Sequence, residues 1–305
     1  MTHRSIAILV LSLALSGPAV ARADLRVVTT TTDLGDFARR IGGANVQVDT
    51  ICQGNQDPHT VQARPSYMVK VSRADLVIAV GLELEVAWLP ALIQGARNPS
   101  VNPGRPGYLE AADAVTPIDV PTGRVDRSQG DLHPFGNPHY WLDPENAKRV
   151  VRLIAARMAE LDPDNTARYA ANARRVNSSI HRGIQRWRAA LAPFRGTKVA
   201  SYHATFNYFL RRFGLVGVGY LEPRPGIPPS PSHLAGLIRR MRADHVPVIL
   251  HERYYDRTTS DMVARRTSAR LLVLPTSVGG TDGTGSYERL IDHIVNTVVS
   301  ALGNR

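Results

Sequence analysis

The residues of this chain with most scope for chemistry are His59, His139 and His203. His59 follows Pro58 in the turn-rich stretch Gly54-Asn55-Gln56-Asp57-Pro58-His59-Thr60. His139 follows Pro138 in Asn137-Pro138-His139-Tyr140-Trp141-Leu142-Asp143-Pro144. Proline disfavours helix at the residue before it, so Asn137 and Asp143 should be extended and His139 held on a stiff turn. His203 stands where the strand-like run Lys198-Val199-Ala200-Ser201-Tyr202 ends. Three neutral imidazoles make a good donor set for Zn²⁺, with Zn–N near ~2.0–2.1 Å. A carboxylate or water could fill a fourth position. The spacing is far too wide for a local motif such as HExxH, so only the fold could bring these side chains together.

The elements that must position them read as α/β. Leu25 to Thr31 and Val46 to Ile51 are strand-like, separated by a helical stretch that Asp33 could cap and Gly42-Gly43 ends. Ala74 to Gly81 is a continuous apolar run, as expected of a parallel strand covered on both faces. Leu84 to Ala96 reads as helix, and Ala114-Val115 as strand-like within an otherwise irregular stretch from 98 to 137. Asp143 can cap an amphipathic helix from Pro144 to about Glu160, and residues 165 to 192 carry a second, longer helical pattern. At ~1.5 Å per residue the longer helix spans about 40 Å, enough to join two lobes rigidly. The second half repeats the rhythm, with strands near Lys198–Tyr202, Val216–Tyr220, Val246–Leu250 and Leu271–Leu274. In open parallel sheets ligands collect beyond the carboxyl ends of the strands, which is where His59 and His203 fall.

Composition bounds the rest. A chain of 305 residues with 43% apolar and 21% charged residues is long enough for two globular lobes. Residues 1–23 have the form of an export signal: a short positive start, an apolar run from Ile6 to Leu15, and Ala21-Arg22-Ala23 as a small-x-small cleavage site. Cys52 is the only cysteine, so no intramolecular disulfide is possible, and it reads as a small buried residue. The net charge is +11, of which Arg4 and Arg22 account for two, leaving +9 after cleavage. Nearly all of it is arginine scattered over helices without interleaved aromatics, a pattern of solvated faces that gives no nucleic-acid signature.

Several motifs in order carry a family likeness. Asp57-Pro58-His59-Thr60, Arg64-Pro65-Ser66, Ala74-Asp75-Leu76-Val77, Gly81-Leu82-Glu83-Leu84-Glu85 with Trp88-Leu89, Asn137 to Pro144, and Ser201-Tyr202-His203 resemble the periplasmic zinc- and manganese-binding proteins of ABC importers. The likeness spans essentially the whole chain after residue 23. It implies two α/β lobes joined by one long helix, with a metal site in the cleft between them. The expected boundaries are 1–23 for the signal, 24–163 and 194–305 for the lobes, and 164–193 for the helix. It also implies that His59, His139 and His203 bind metal. Relatives often place an aspartate just after the last strand, where this chain has Ser277. Glu252, at the end of the preceding strand, is therefore the first substitute as fourth ligand, and Asp282 in the glycine-rich loop the second. His133 occupies the place of the family's histidine-rich loop and reads as a solvated residue. His251 should point away from the site. Three imidazoles suit zinc better than manganese, which prefers oxygen donors.

The function implied is a non-enzymatic, monomeric receptor in the periplasm. It would capture Zn²⁺, or alternatively Mn²⁺, and deliver it to a membrane permease driven by a cytoplasmic ATPase. A secreted zinc hydrolase is the rival, since His₃ with an open position is also catalytic and Glu252 could act as base. No HExxH, nucleophile elbow or phosphate loop accompanies it. A lipid-anchored adhesin is disfavoured because no cysteine lies near the cleavage site.

Overall fold

The computed structural model describes residues 24–123, 133–223 and 226–304. The export signal expected at 1–23 lies outside them. Two four-stranded parallel sheets are built from equivalent parts of the chain. In the first, β1 (Leu25–Thr29), β2 (Val46–Thr50), β3 (Leu76–Ala79) and β4 (Tyr108–Glu110) lie in the order β2-β1-β3-β4. In the second, β5 (Lys198–Ser201), β6 (Val216–Tyr220), β7 (Val248–Glu252) and β8 (Arg270–Leu274) lie in the order β6-β5-β7-β8. Every pairing is parallel, so the crossovers are helical: α1 (Thr32–Gly42), α2 (Pro65–Ser72) and α3 (Leu89–Ala96) in the first lobe. The second lobe has α6 (Asn207–Phe213), α7 (Pro231–Ala243), α8 (Thr258–Thr267) and α9 (Tyr287–Gly303). Between the lobes run α4 (Pro144–Leu161) and α5 (Thr166–Leu191).

Helix α5 is 26 residues long, with Tyr169, Val176, Ile180, Ile184 and Trp187 on its buried face. It is bonded into both lobes. Asn172 Nδ2 donates to the Ile41 carbonyl at 2.7 Å, and Trp187 Nε1 donates to Asp292 Oδ1 at 2.6 Å. The principal apolar core is undivided. Phe37 and Leu76 from the first lobe, Val150 and Ile184 from the connecting helices, and Leu250 and Ile294 from the second lobe belong to one cluster. Each sheet adds a smaller satellite cluster on its far side.

Two boundaries differ from expectation for physical reasons. The helix expected from Leu84 begins only at Leu89, because the Glu85 carboxylate is held by Val80 N at 2.7 Å, Gly81 N at 3.1 Å and the Thr30 hydroxyl at 2.6 Å. That grip keeps the chain in a turn over the strand end, with Leu82 and Glu83 at positive φ. The strand after α3 is Tyr108–Glu110, and Ala111–Ala114 is a 3₁₀ turn, where Ala114-Val115 was expected to be strand-like.

Helix α1 does a job its sequence does not advertise. Asp33 leaves the α1 backbone uncapped and accepts a hydrogen bond from Val278 N of the other lobe at 3.1 Å. Asp36 accepts from Tyr287 N at 3.2 Å, and Arg40 grips Glu288 at 2.7 and 2.8 Å. A glycine is required opposite: a side chain at Gly54 would lie 2.2 Å from the Val278 carbonyl.

Candidate metal centre

Each histidine of the centre is locked by its own local structure. His59 lies in the loop after β2. Its backbone N–H and its Nδ1 both meet Asp57 Oδ1, at 3.0 and 2.7 Å, and Trp88 Nε1 holds the Pro58 carbonyl at 2.8 Å. His139 sits just before α4, in an arrangement clamped by Asn137, whose Oδ1 accepts from His139 N at 2.9 Å while its Nδ2 donates to the Ala204 carbonyl at 2.9 Å. Asn137 therefore ties the His139 turn to the segment that carries His203. Asp143 caps α4 through Glu145 N at 2.9 Å, as expected, and also takes a two-pronged contact from Arg212 at 2.6 Å. His203 lies just past the end of β5, with its carbonyl held by Ser201 Oγ at 2.8 Å and its Nδ1 by Glu222 Oε2 at 3.0 Å.

The three rings converge. Their centroids are 5.2, 5.7 and 5.4 Å apart, and one ligand nitrogen from each lies within 4.8 Å of the other two. They are 6%, 1% and 2% exposed, so whatever they bind is stripped of bulk water. With Nδ1 of His59 and His203 occupied by carboxylates, Nε2 is the nitrogen left to each ring, and on His59 it also meets His133. A carboxylate behind an imidazole fixes its orientation and raises its basicity as a metal ligand. Neither ring nitrogen of His139 has a hydrogen-bond partner, an unusual state for a buried imidazole. Burial, reinforced by repulsion from His59 and His203, holds His139 well below the ordinary histidine range. Burial also lowers His203, with Glu222 partly opposing it. Burial tends to raise the Asp57 carboxyl, but its hydrogen bonds to the His59 ring and backbone and the charges of His59 and His203 together leave it below its usual value. His139 and His203 are thus kept in the neutral form that metal binding requires.

Among the described residues, the group of mutually close donor atoms is the trio alone, without Glu252, Asp282 or His133. Glu252 is fully buried at the end of β7 and both its oxygens lack a hydrogen bond of ordinary geometry. Burial pushes its carboxyl up to about 8, moderated by the nearby Thr205 hydroxyl. Asp282 is exposed. His251 is engaged with Ser260 Oγ at 2.9 Å and the Tyr255 carbonyl at 3.2 Å, and Cys52 is buried with its thiol pushed up to about 12. His133, read from sequence as a solvated loop residue, instead puts its Nε2 3.3 Å from His59 Nε2, with the two rings stacked at 5.3 Å.

Glu222 and Asn137 were not found as site residues in the sequence, because their partners are set by the fold. Asp57 was findable: an aspartate two residues before a loop histidine is an Asx-turn signal. Glu222→Gln should weaken metal binding by roughly 10–100-fold while leaving the fold intact, as loss of a carboxylate behind a ligating histidine does. Titration against a competing chelator measures this, and an unchanged affinity would show Glu222 to be a bystander.

The family described as "Zinc-uptake complex component A periplasmic", ZnuA, matches residues 27–301. The chain belongs to the ZnuA family. A high-affinity zinc uptake system protein ZnuA from Yersinia pestis is 28% identical over 299 residues, which is 92% of each chain. A manganese ABC transporter substrate-binding lipoprotein, PsaA, from Streptococcus pneumoniae is 24% identical and aligns over 87% of this chain and 85% of its own. A crystal structure of ZnuA superposes with a TM-score of 0.76 at 25% identity, covering 91% of this chain and 99% of that one. The two-lobed ZnuA architecture expected from the motifs is the one observed.

Proposed function

We propose that this protein is the zinc receptor of an ABC importer, exported to the periplasm, where it captures Zn²⁺ on His59, His139 and His203 and passes it to a membrane permease driven by a cytoplasmic ATPase. The observation that carries this reading is the trio of buried imidazoles, drawn from both lobes, with His139 offering two unpartnered nitrogens. A buried group with no internal partner implies an external one. The family is one of solute-binding receptors, in which metal is cargo.

We take His133 as the fourth donor on its contact with His59, although its nitrogen lies outside the mutually close group formed by the trio. Two nitrogens bound to one tetrahedral zinc at ~2.0–2.1 Å are about 3.3–3.4 Å apart. The His133–His59 separation of 3.3 Å has that length. Burial, then repulsion from His59 and His203, lowers His133 to about 3, so it too is neutral. Water is the alternative at that position, with Glu252 and Asp282 behind it. An all-nitrogen set selects zinc over manganese, which prefers oxygen.

Calorimetry on the metal-free protein tests the reading. One Zn²⁺ per chain, bound at least about a hundredfold more tightly than Mn²⁺, is the expected result. Preference for Mn²⁺, or no saturable site, would overturn it. Anomalous scattering from zinc-loaded crystals would then name the fourth donor.

A further inference from the structure

The arginines have no place in the metal centre, and they are not evenly spread. Helix α5 carries Arg168, Arg174, Arg175, Arg182, Arg186 and Arg188 and no acidic residue at all. Two hollows open along it. The first, about 810 Å³, lies between α4 and α5, with Ala155, Ala159 and Ala170 in its floor and Arg152, Arg174 and Arg182 on its rim. The second, about 360 Å³, is bounded by Arg188, Arg195 and Arg212 with Phe213. Neither is lined by an acidic side chain. The acids nearest the second hollow are already engaged, Asp143 by Arg212 and Glu145 by Lys148. Arg152, Arg174 and Arg182 have no side-chain ion pair among the described residues, and Arg188 is drawn only to Glu145, which Lys148 also engages.

We propose that the outer face of α4 and α5 docks on an anionic lipid surface. From Arg174 to Arg188 the helix advances about 21 Å at ~1.5 Å per residue, so the guanidinium groups are laid out along a line instead of around one pocket. An acidic protein partner would have to match that line in shape and charge. A leaflet of anionic headgroups supplies mobile phosphates to each guanidinium independently, and guanidinium suits phosphate through paired N–H donors. The alanine floor lets headgroups approach the helices without steric hindrance. Basic clusters are attracted to such surfaces within about a Debye length, ~10 Å at moderate salt. No histidine of the metal centre lines either hollow, so a docked molecule keeps its metal site clear. Among the described residues no helix is long and apolar enough to cross a membrane, so attachment of this kind would be peripheral.

The test is co-sedimentation of the metal-free protein, starting at Asp24, with vesicles of phosphatidylglycerol in phosphatidylcholine and with phosphatidylcholine alone. Partition onto the anionic vesicles only, falling steeply with added salt, is the expected result. The combined variant Arg152→Gln, Arg174→Gln, Arg182→Gln and Arg188→Gln should lower that partition by about a hundredfold. Arg188 loses only its attraction to Glu145, which Lys148 still engages, and an unchanged thermal transition checks that the variant is folded. A charge-matched control, Arg239→Gln, Arg265→Gln, Arg266→Gln and Arg289→Gln, removes four exposed arginines of the second lobe and should cost about tenfold less. Absence of binding to anionic vesicles would overturn the proposal in favour of a protein partner or a merely solvated face. Equal losses in the two variants would overturn it too, reducing the effect to net charge.

Discussion

Replacing His203 with alanine should weaken zinc binding by roughly 10²–10³-fold, because about 10–16 kcal/mol of zinc binding is typically shared among four ligands. His203 is the one member of the trio that comes from the second sheet, and Glu222 holds its ring in place. Its loss leaves His59 and His139 facing an empty quarter and takes from the buried Glu222 carboxylate one of two partners among the described residues, the other being the Gly226 N–H. His133→Ala should cost only about tenfold, since His133 is half-buried and water can take its position. Competition titrations on the two variants measure the ratio directly. Equal losses would refute the division between a fixed trio and an exchangeable fourth donor. A larger loss at His133 would make it the principal ligand and the trio secondary.

The second large effect concerns Glu252, and it appears in the stability of the metal-free protein. Its carboxyl is raised from an ordinary value of 4.5 to about 8 by burial. A group whose folded value is raised contributes stability fully present below its unfolded value and lost as pH rises through the folded one. The window for Glu252 therefore runs from about pH 4.5 to about pH 8. Glu252→Gln removes the titration and leaves a buried amide, which itself costs about 1–3 kcal/mol if unsatisfied. The variant should be the less stable of the two near pH 5. It should gain on the native protein by on the order of 3–5 kcal/mol by pH 8.5. Urea unfolding at the two pH values tests this. A difference that does not change with pH would mean that Glu252 is ionised throughout, and would return it to candidacy as a metal ligand. Zinc affinity measured on the same variant distinguishes the two roles independently.

How much of this was legible beforehand follows from where each signal resides. The strands β1, β3 and β7 and the helices α4 and α5 are written in runs of apolar residues at periods that burial enforces, and these were read at nearly their observed bounds. Strand β4 was missed because it is three residues long and only Leu109 within it is fully covered. The start of α3 was placed too early because Leu84 looks helical on periodicity, whereas its position is decided by Glu85 gripping the end of β3. The three histidines could be nominated because each stands in a turn or at a strand end. That they meet is a property of two sheets facing one another, which no local pattern encodes. Asp33 is the clearest case of a local rule overridden. At the head of a helix it invites reading as a cap, yet its carboxyl crosses to Val278, and burial raises it to about 7. His133 illustrates the opposite limit, since a single histidine in an irregular stretch carries no periodicity to read.

The undivided core has a further consequence, for cooperativity. Two lobes with separate cores could melt one after the other, each at its own temperature. Here Phe37, Ile184 and Ile294 belong to one packed cluster, and α5 is bonded to both lobes. Opening either lobe alone would leave half of that cluster facing water, at ~25 cal/mol for each Å² of apolar surface exposed. The partly unfolded state is thus penalised, and both lobes should be lost together. The chain has the outline of two domains and should unfold as one.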